Sequence, residues 1–380
     1  MPYIHTAKLQ GLHSHETFWY LVGDNATEGC SVLESPTTAR APPVSLPMSA
    51  ALMADVGSIE ILGFATWAAL DARTRFGGAL EADVAIHAGD VSYAGVDVGI
   101  PLLNVSNEDE WEPLWDVYGM AHESFTSRRA YQVGIGNHEA WYNWTATTSR
   151  YPMVQGRAPP PSVATMARPP FWYSFSVGGV HWTMLSTEHD HGPSSLQHAF
   201  ADAALAAVDR TRTPWSAVAF HRPMYCSDRN EFSQSRPGAP LQRHLEPLLL
   251  AHAVDLVIAG HEHGYERVHP NVAGRVTARP ERLASGELAY VQPTAPVYLV
   301  LGHGGALQDE QWVTPPPDWS ARRLSQGCDH TGGQRVCGEA YTDTFGWVHA
   351  DFVNRSHAWL HTEMMTGQVR DAFWLIRRAR

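Results

Sequence analysis

Five short polar blocks, each placed where an apolar, strand-like run ends, constrain this 380-residue chain more than any other feature. They are Asp55-Val56-Gly57, Gly89-Asp90-Val91-Ser92-Tyr93, Gly136-Asn137-His138-Glu139, Val218-Ala219-Phe220-His221 and Gly260-His261-Glu262-His263. Ala50–Ala54 reads as a buried strand, Ile59–Arg75 as a helix, Val84–Ala88 as a strand, Glu110–Ser124 as a helix and Tyr131–Ile135 as a strand. Later, helix Gln197–Asp209 precedes strand Ala217–Phe220, and helix Leu241–His252 precedes strand Leu256–Ala259. Strands alternating with helices build βαβ units. Ligands of such sheets collect outside the carboxyl ends of the strands, which is where all five blocks fall. Trp172–Leu185 alternates around Gly178-Gly179 and reads as a hairpin. Val297–Leu301 and Trp347–Met364 add further strands. The expected fold class is therefore α/β, with two mixed β-sheets sandwiched and helices flanking them.

The blocks supply three His, two Asp, one Asn and one Tyr as candidate ligands. One Asp oxygen can bridge two cations, and Asp90 is the central candidate. A Tyr93 phenolate is a hard anionic donor suited to trivalent iron, whereas His nitrogens and the Asn137 carbonyl suit a divalent neighbour. His261 and His263, spaced i, i+2 at a strand-to-loop turn, can each meet a different metal. Taken singly, Asp55 reads as a turn residue and any one His as a satisfied loop residue; the ordered set does not. Gly302-His303-Gly304-Gly305 follows a strand and reads as a tight loop, with lining of the site as the alternative.

In the pattern D-x-G, G-D-x-x-Y, G-N-H-[DE], V-x-x-H and G-H-x-H, the chain resembles the purple acid phosphatases, which are dinuclear metallophosphoesterases. The resemblance covers about residues 49–376 and takes in Thr213-Pro214-Trp215, His221-Arg222-Pro223-Met224-Tyr225 and Gly264-Tyr265-Glu266-Arg267. It implies an αββα fold and a cofactor pair of Fe(III) plus a divalent metal, Zn, Mn or Fe. Carried over residue by residue, it assigns Asp55, Asp90, Tyr93 and His263 to iron. Asp90, Asn137, His221 and His261 go to the second metal, with Asp90 bridging. His138 falls beside the phosphate or leaving group as the catalytic proton donor. The implied activity is acid phosphatase: a hydroxide held by the metals attacks small phosphate monoesters. The rival readings are a phosphodiesterase or nucleotide pyrophosphatase on the same fold, and a non-catalytic secreted binding protein. One departure concerns the stretch Cys226–Glu231, which lacks the further His that plant-type members carry there. Another is Ala54-Asp55, where Gly-Asp is usual.

Residues 1–38 read as β-strands (Tyr3–Leu9, Phe18–Val22, Cys30–Leu33), too few for a sandwich of their own. Gly11 to Asp24 resembles the last strands of the fibronectin-III-like domain that precedes the catalytic domain in large members, so 1–38 is expected to be the tail of such a domain. Residues 39–48 form a Pro-rich linker, and 49–380 the metallophosphoesterase domain. The formal charge of −12 argues against nucleic acid as a partner. No apolar run reaches 18 residues, so no membrane span is expected; a homodimer stays open. The first residues have neither the basic nor the apolar part of a secretory leader. Yet Asn25, Asn104, Asn143 and Asn354 all open N-x-Ser/Thr sequons, pointing to a glycoprotein that is secreted or held in a secretory or vacuolar compartment. Cys328 and Cys337 flank a Gly-rich loop and either close a local disulfide in an oxidising compartment or stand as two thiols.

Overall fold

The computed structural model describes residues 46–57, 61–75, 81–94, 111–140, 163, 165–229, 239–308, 311–338 and 340–377, with scattered positions between 9 and 30. Two mixed sheets face each other. One has eight strands and carries Met48–Met53, Val84–His87 and Ala130–Val133 as parallel neighbours. The other has nine and carries Val180–Met184, Trp215–Ala219, Leu256–Ala259 and Val297–Leu301 in parallel. Antiparallel strands complete both: Gly346–Phe352, His357–Met364 and Val369–Ile376 in the first, and Tyr173–Val177, Tyr265–Val268 and Ser320–Ser325 in the second.

The parallel strands are apolar on both faces because both faces are buried. Ala50, Leu52, Val84 and Ile86 point into the core between the sheets, against Trp182, Trp215, Leu256 and Ile258. Their neighbours Ala51, Met53 and Ala85 point outwards, beneath Trp67 and Leu70 of helix Ile61–Arg75 and Trp115 and Tyr118 of helix Trp111–Thr126. On the far side, Val218, Val257 and Ala259 pack under Phe200, Leu205, Leu245 and Leu249 of helices Leu196–Ala206 and Pro240–Ala251. This is the helix–sheet–sheet–helix stack expected from the alternating pattern.

Two strand expectations fare differently. Phe18–Leu21 is not a strand; Tyr20 makes only an isolated bridge, and its hydroxyl donates to the Ser127 carbonyl at 3.1 Å. Gly29–Cys30 pairs with Gly23–Asp24, while Tyr3–Lys8 and Ser31–Leu33 lie outside the described residues. Cys328 and Cys337 are joined by a disulfide across two paired short strands. Cys226 is a buried free thiol. Asn354 is exposed in the turn between Gly346–Phe352 and His357–Met364; Asn25, Asn104 and Asn143 lie outside the described residues.

Candidate metal centre

The five blocks converge because their strands end on one edge of the stack. Met53, His87 and Val133 end in one sheet, and Ala219 and Ala259 in the other. The site therefore straddles the seam between the sheets. Backbone bonds lock the turns together: Asp55 N–H donates to Gly89 O (3.2 Å), Gly57 N–H to Val91 O (3.0 Å) and Gly260 N–H to His221 O (2.8 Å). Four candidate ligands, Asp55, Asp90, Tyr93 and His261, have left-handed backbone with φ between 50° and 75°. Such conformations cost on the order of 1–3 kcal/mol each and cluster at functional sites.

The glycines in these blocks leave room for ligand oxygens. A Cβ on Gly136 would lie 2.2 Å from Asp90 Oδ1, and one on Gly260 2.3 Å from Asp55 Oδ2.

Asp90 is fully buried. Its Oδ1 accepts from the His138 backbone N–H at 2.9 Å, and its Oδ2 lies 3.2 Å from His221 Nε2. His221 Nδ1 faces the Ala88 carbonyl at 2.9 Å, so the proton belongs on Nδ1. Nε2 then offers a lone pair, yet it looks at Asn137 Oδ1 (3.0 Å) as well as Asp90 Oδ2. His263 repeats the device: Nδ1 faces the Leu307 carbonyl at 2.7 Å, and Nε2 lies 2.8 Å from the Tyr93 hydroxyl. Tyr93 donates to Asp55 Oδ1 at 2.9 Å, and Asp55 Oδ2 accepts from the His261 backbone N–H at 2.8 Å. Ligand atoms of Asp90, His221 and His261 lie within 4.8 Å of one another.

The electrostatics show that the cluster favours a positive charge at its centre. Burial opposes ionising His221, but Asp90 and Asp55 override it and raise the imidazole to about 10. Burial works against the Asp90 carboxylate too, and His221 and His138 nevertheless hold it well below the usual range. Burial, with Asp55 and Asp90 adding to it, pushes the Tyr93 phenol far above its ordinary value. Carboxylate, amide and imidazole groups that converge, with imidazoles oriented by carbonyls behind them, suit metal ligands and their outer supports. The donor set, two carboxylates, a phenol, an amide oxygen and three imidazoles, fits two cations.

Two residues, Glu139 and Arg222, were not singled out from the sequence. Glu139 is buried and accepts from the backbone N–H groups of Asp90 (2.9 Å), Val91 (2.9 Å) and Gly136 (2.8 Å), tying two blocks together. Burial and the Asp90 charge raise it to about 7, against those donors. Its only sequence signal was its place in the third block. Arg222 reaches His261, with Nη1 2.9 Å from Nε2. The loop Gly302–Gly305 is more than a tight turn. A Cβ on Gly302 would come within 3.2 Å of Asp55 Oδ2, and the next residue, Ala306, donates its N–H to Asp55 O at 2.9 Å, so the loop backs the site.

The family model for calcineurin-like phosphoesterases matches residues 48–265. The chain belongs to that family. A second model, iron/zinc purple acid phosphatase-like protein C, matches residues 295–372, which identifies the purple acid phosphatase branch of these phosphoesterases. Purple acid phosphatase 22 of Arabidopsis thaliana is 30% identical over 305 residues, covering 80% of this chain and 58% of the relative. A purple acid phosphatase of Glycine max is 30% identical over 301 residues, covering 76% and 56%. The chain thus spans less than two-thirds of the length of these relatives. Among solved structures, purple acid phosphatase PPD1 from yellow lupin (Lupinus luteus) seeds superposes with a TM-score of 0.71 at 21% identity, covering 92% of this chain and 57% of that one. GAP50, the anchor in the inner membrane complex of Plasmodium, superposes with a TM-score of 0.57 at 15% identity, covering 88% and 90%. Both are likenesses of fold. Among the described residues, no helix of this phosphoesterase is long and apolar enough to cross a membrane.

Proposed function

We propose that this phosphoesterase is an acid phosphatase that hydrolyses phosphate monoesters with Fe(III) and a divalent cation. The observation that carries the reading is the convergence of Asp90 Oδ2, Asn137 Oδ1 and His221 Nε2, a set whose carboxylate and amide oxygens favour a positive charge among them. Asp55, Tyr93 and His263 would hold the iron, Asn137, His221 and His261 the second cation, and Asp90 both. When bound, the pair supplies Lewis acidity at the phosphoryl group and acidifies water.

The protein's own groups do the rest. His138 packs against Tyr93 in a tilted contact with ring centroids 4.5 Å apart, and its side chain keeps some exposure while Asp90 and His221 are sealed. It lies, with His261 and His263, on the more open side of the cluster, placed to give a proton to a leaving oxygen. Glu139 fixes the backbone that carries Asp90 and His138. Exposed Asn354 is available to glycosylation, in keeping with a secreted or vacuolar protein.

The test combines elemental analysis, a visible spectrum and turnover of an aryl phosphate. The expected result is two metals per chain, one of them iron, with a broad visible band that Tyr93→Phe abolishes. An active, oxidised protein without iron or without the band would overturn the iron assignment. A strong preference for diesters would overturn the monoesterase.

A further inference from the structure

We propose that Arg222 is the substrate-holding cation of this site, binding the non-bridging oxygens of the phosphoryl group, and that Glu188 aims it. The proposal rests on the phosphomonoesterase reading. Both ends of Arg222 are pinned to one short segment. Its backbone N–H donates to Thr187 Oγ1 at 3.0 Å, and its Nε donates to Glu188 Oε1 at 2.8 Å, with Nη2 3.4 Å from Oε2. A carboxylate on the Nε–Nη2 edge turns the remaining nitrogen, Nη1, away from it. Nη1 points into the cluster, 2.9 Å from His261 Nε2.

That contact is telling because Arg222 is a donor and His261 Nε2 a candidate ligand. An imidazole nitrogen that gives its lone pair to a cation cannot also accept a hydrogen bond. A phosphoryl oxygen brought to the cluster offers Nη1 an acceptor beside His261, and a planar guanidinium matches phosphate geometry. The side chain is about one-third exposed, so a substrate can meet it, whereas Glu188 is more deeply covered.

A monoester dianion offers this cation more charge than a diester does. The experiment uses metal-loaded wild type, Arg222→Gln, Arg222→Lys and Glu188→Gln. It reads metal content, the affinity for inorganic phosphate by calorimetry, and kcat/KM for an aryl phosphate monoester and its diaryl counterpart. In Arg222→Gln both metals should remain, phosphate binding should weaken about 10–100-fold, and the monoester should lose more than the diester. Arg222→Lys should recover part of the loss. Glu188→Gln should weaken phosphate binding several-fold with metals intact, which keeps the test open if Arg222→Gln fails to fold. Unchanged phosphate affinity, loss of metal, or equal loss for both esters would overturn the proposal. A wild type that binds phosphate through Arg222 but turns over no ester would instead sink the phosphatase reading and leave the anion site standing.

Discussion

At the scale of single residues, the site depends on what stands behind each ligand as much as on the ligand. Gly136 makes the point, because a methyl there would lie 2.2 Å from Asp90 Oδ1 and 2.7 Å from Asp90 N. Gly136→Ala should therefore push Asp90 aside without touching the core. The expected outcome is an unchanged far-UV circular dichroism spectrum, less than two metals per chain, and activity down by about 10²-fold, the usual cost of a small misplacement at the reacting centre. Asp90→Asn should lose both metals together, whereas Asn137→Ala should deplete mainly the divalent one; retention of both metals in Asp90→Asn would rule out a bridging Asp90. The candidate ligands were legible in the sequence because metal chemistry restricts residue types at strand ends. Glu139, Arg222 and Glu188 were not singled out. Carboxylates and guanidinium groups are common on surfaces, and only the fold shows that Glu139 meets three buried N–H groups.

At the scale of elements, the apolar strands were legible and the polar ones were not. Leu256–Ala259 and Val297–Leu301 form as read, since burial on both faces leaves a continuous apolar run. Tyr265–Val268 was read only as part of a motif, because Glu266 and Arg267 look like surface residues. In the fold both are buried and paired. Glu266 accepts from the Ser227 backbone at 2.8 Å and from Ser227 Oγ at 2.6 Å. Arg267 in one sheet holds Asp371 in the other, Nε to Oδ2 at 2.7 Å and Nη2 to Oδ1 at 3.1 Å, and Tyr265 also donates to Asp371 at 2.9 Å. The pair ties the sheets together next to the apolar core. Removing one partner strands the other's charge, so Asp371→Ala should cost about 3–5 kcal/mol. Urea unfolding of the two proteins measures it, and a loss below about 1 kcal/mol, the range of exposed pairs, would show that Arg267 finds water or another acceptor.

At the scale of the whole molecule, the proposed acidic working range meets a stability cost built into the packing. His181, on strand Val180–Met184, is buried, and burial together with Arg210 lowers its imidazole to about 4. Its Nδ1 lies 3.0 Å from Ser176 Oγ, well away from the metal blocks in sequence. Burial also lowers His122, on helix Trp111–Thr126, to about 4. In the unfolded chain each would titrate near 6.5. Below that pH the unfolded chain takes up protons that the folded chain refuses, so stability falls as pH drops from about 6.5 to about 4 and levels off beneath. A shift of that size is worth about 3 kcal/mol per group as an upper bound. Paired carboxylates such as Asp90 add to the loss only at lower pH, since their folded values are depressed. The metal pair works in the other direction, because cations bound only to the folded state stabilise it by mass action. The melting temperature of the metal-loaded protein should fall from pH 7 to pH 4, and chelation should deepen the fall. His181→Gln keeps a hydrogen-bonding group for Ser176 but cannot take a proton, so it should flatten the curve between pH 6.5 and 4 while leaving metal content unchanged. A His181→Gln curve parallel to that of the wild type across that window would show that the buried imidazole is not what limits the protein in acid.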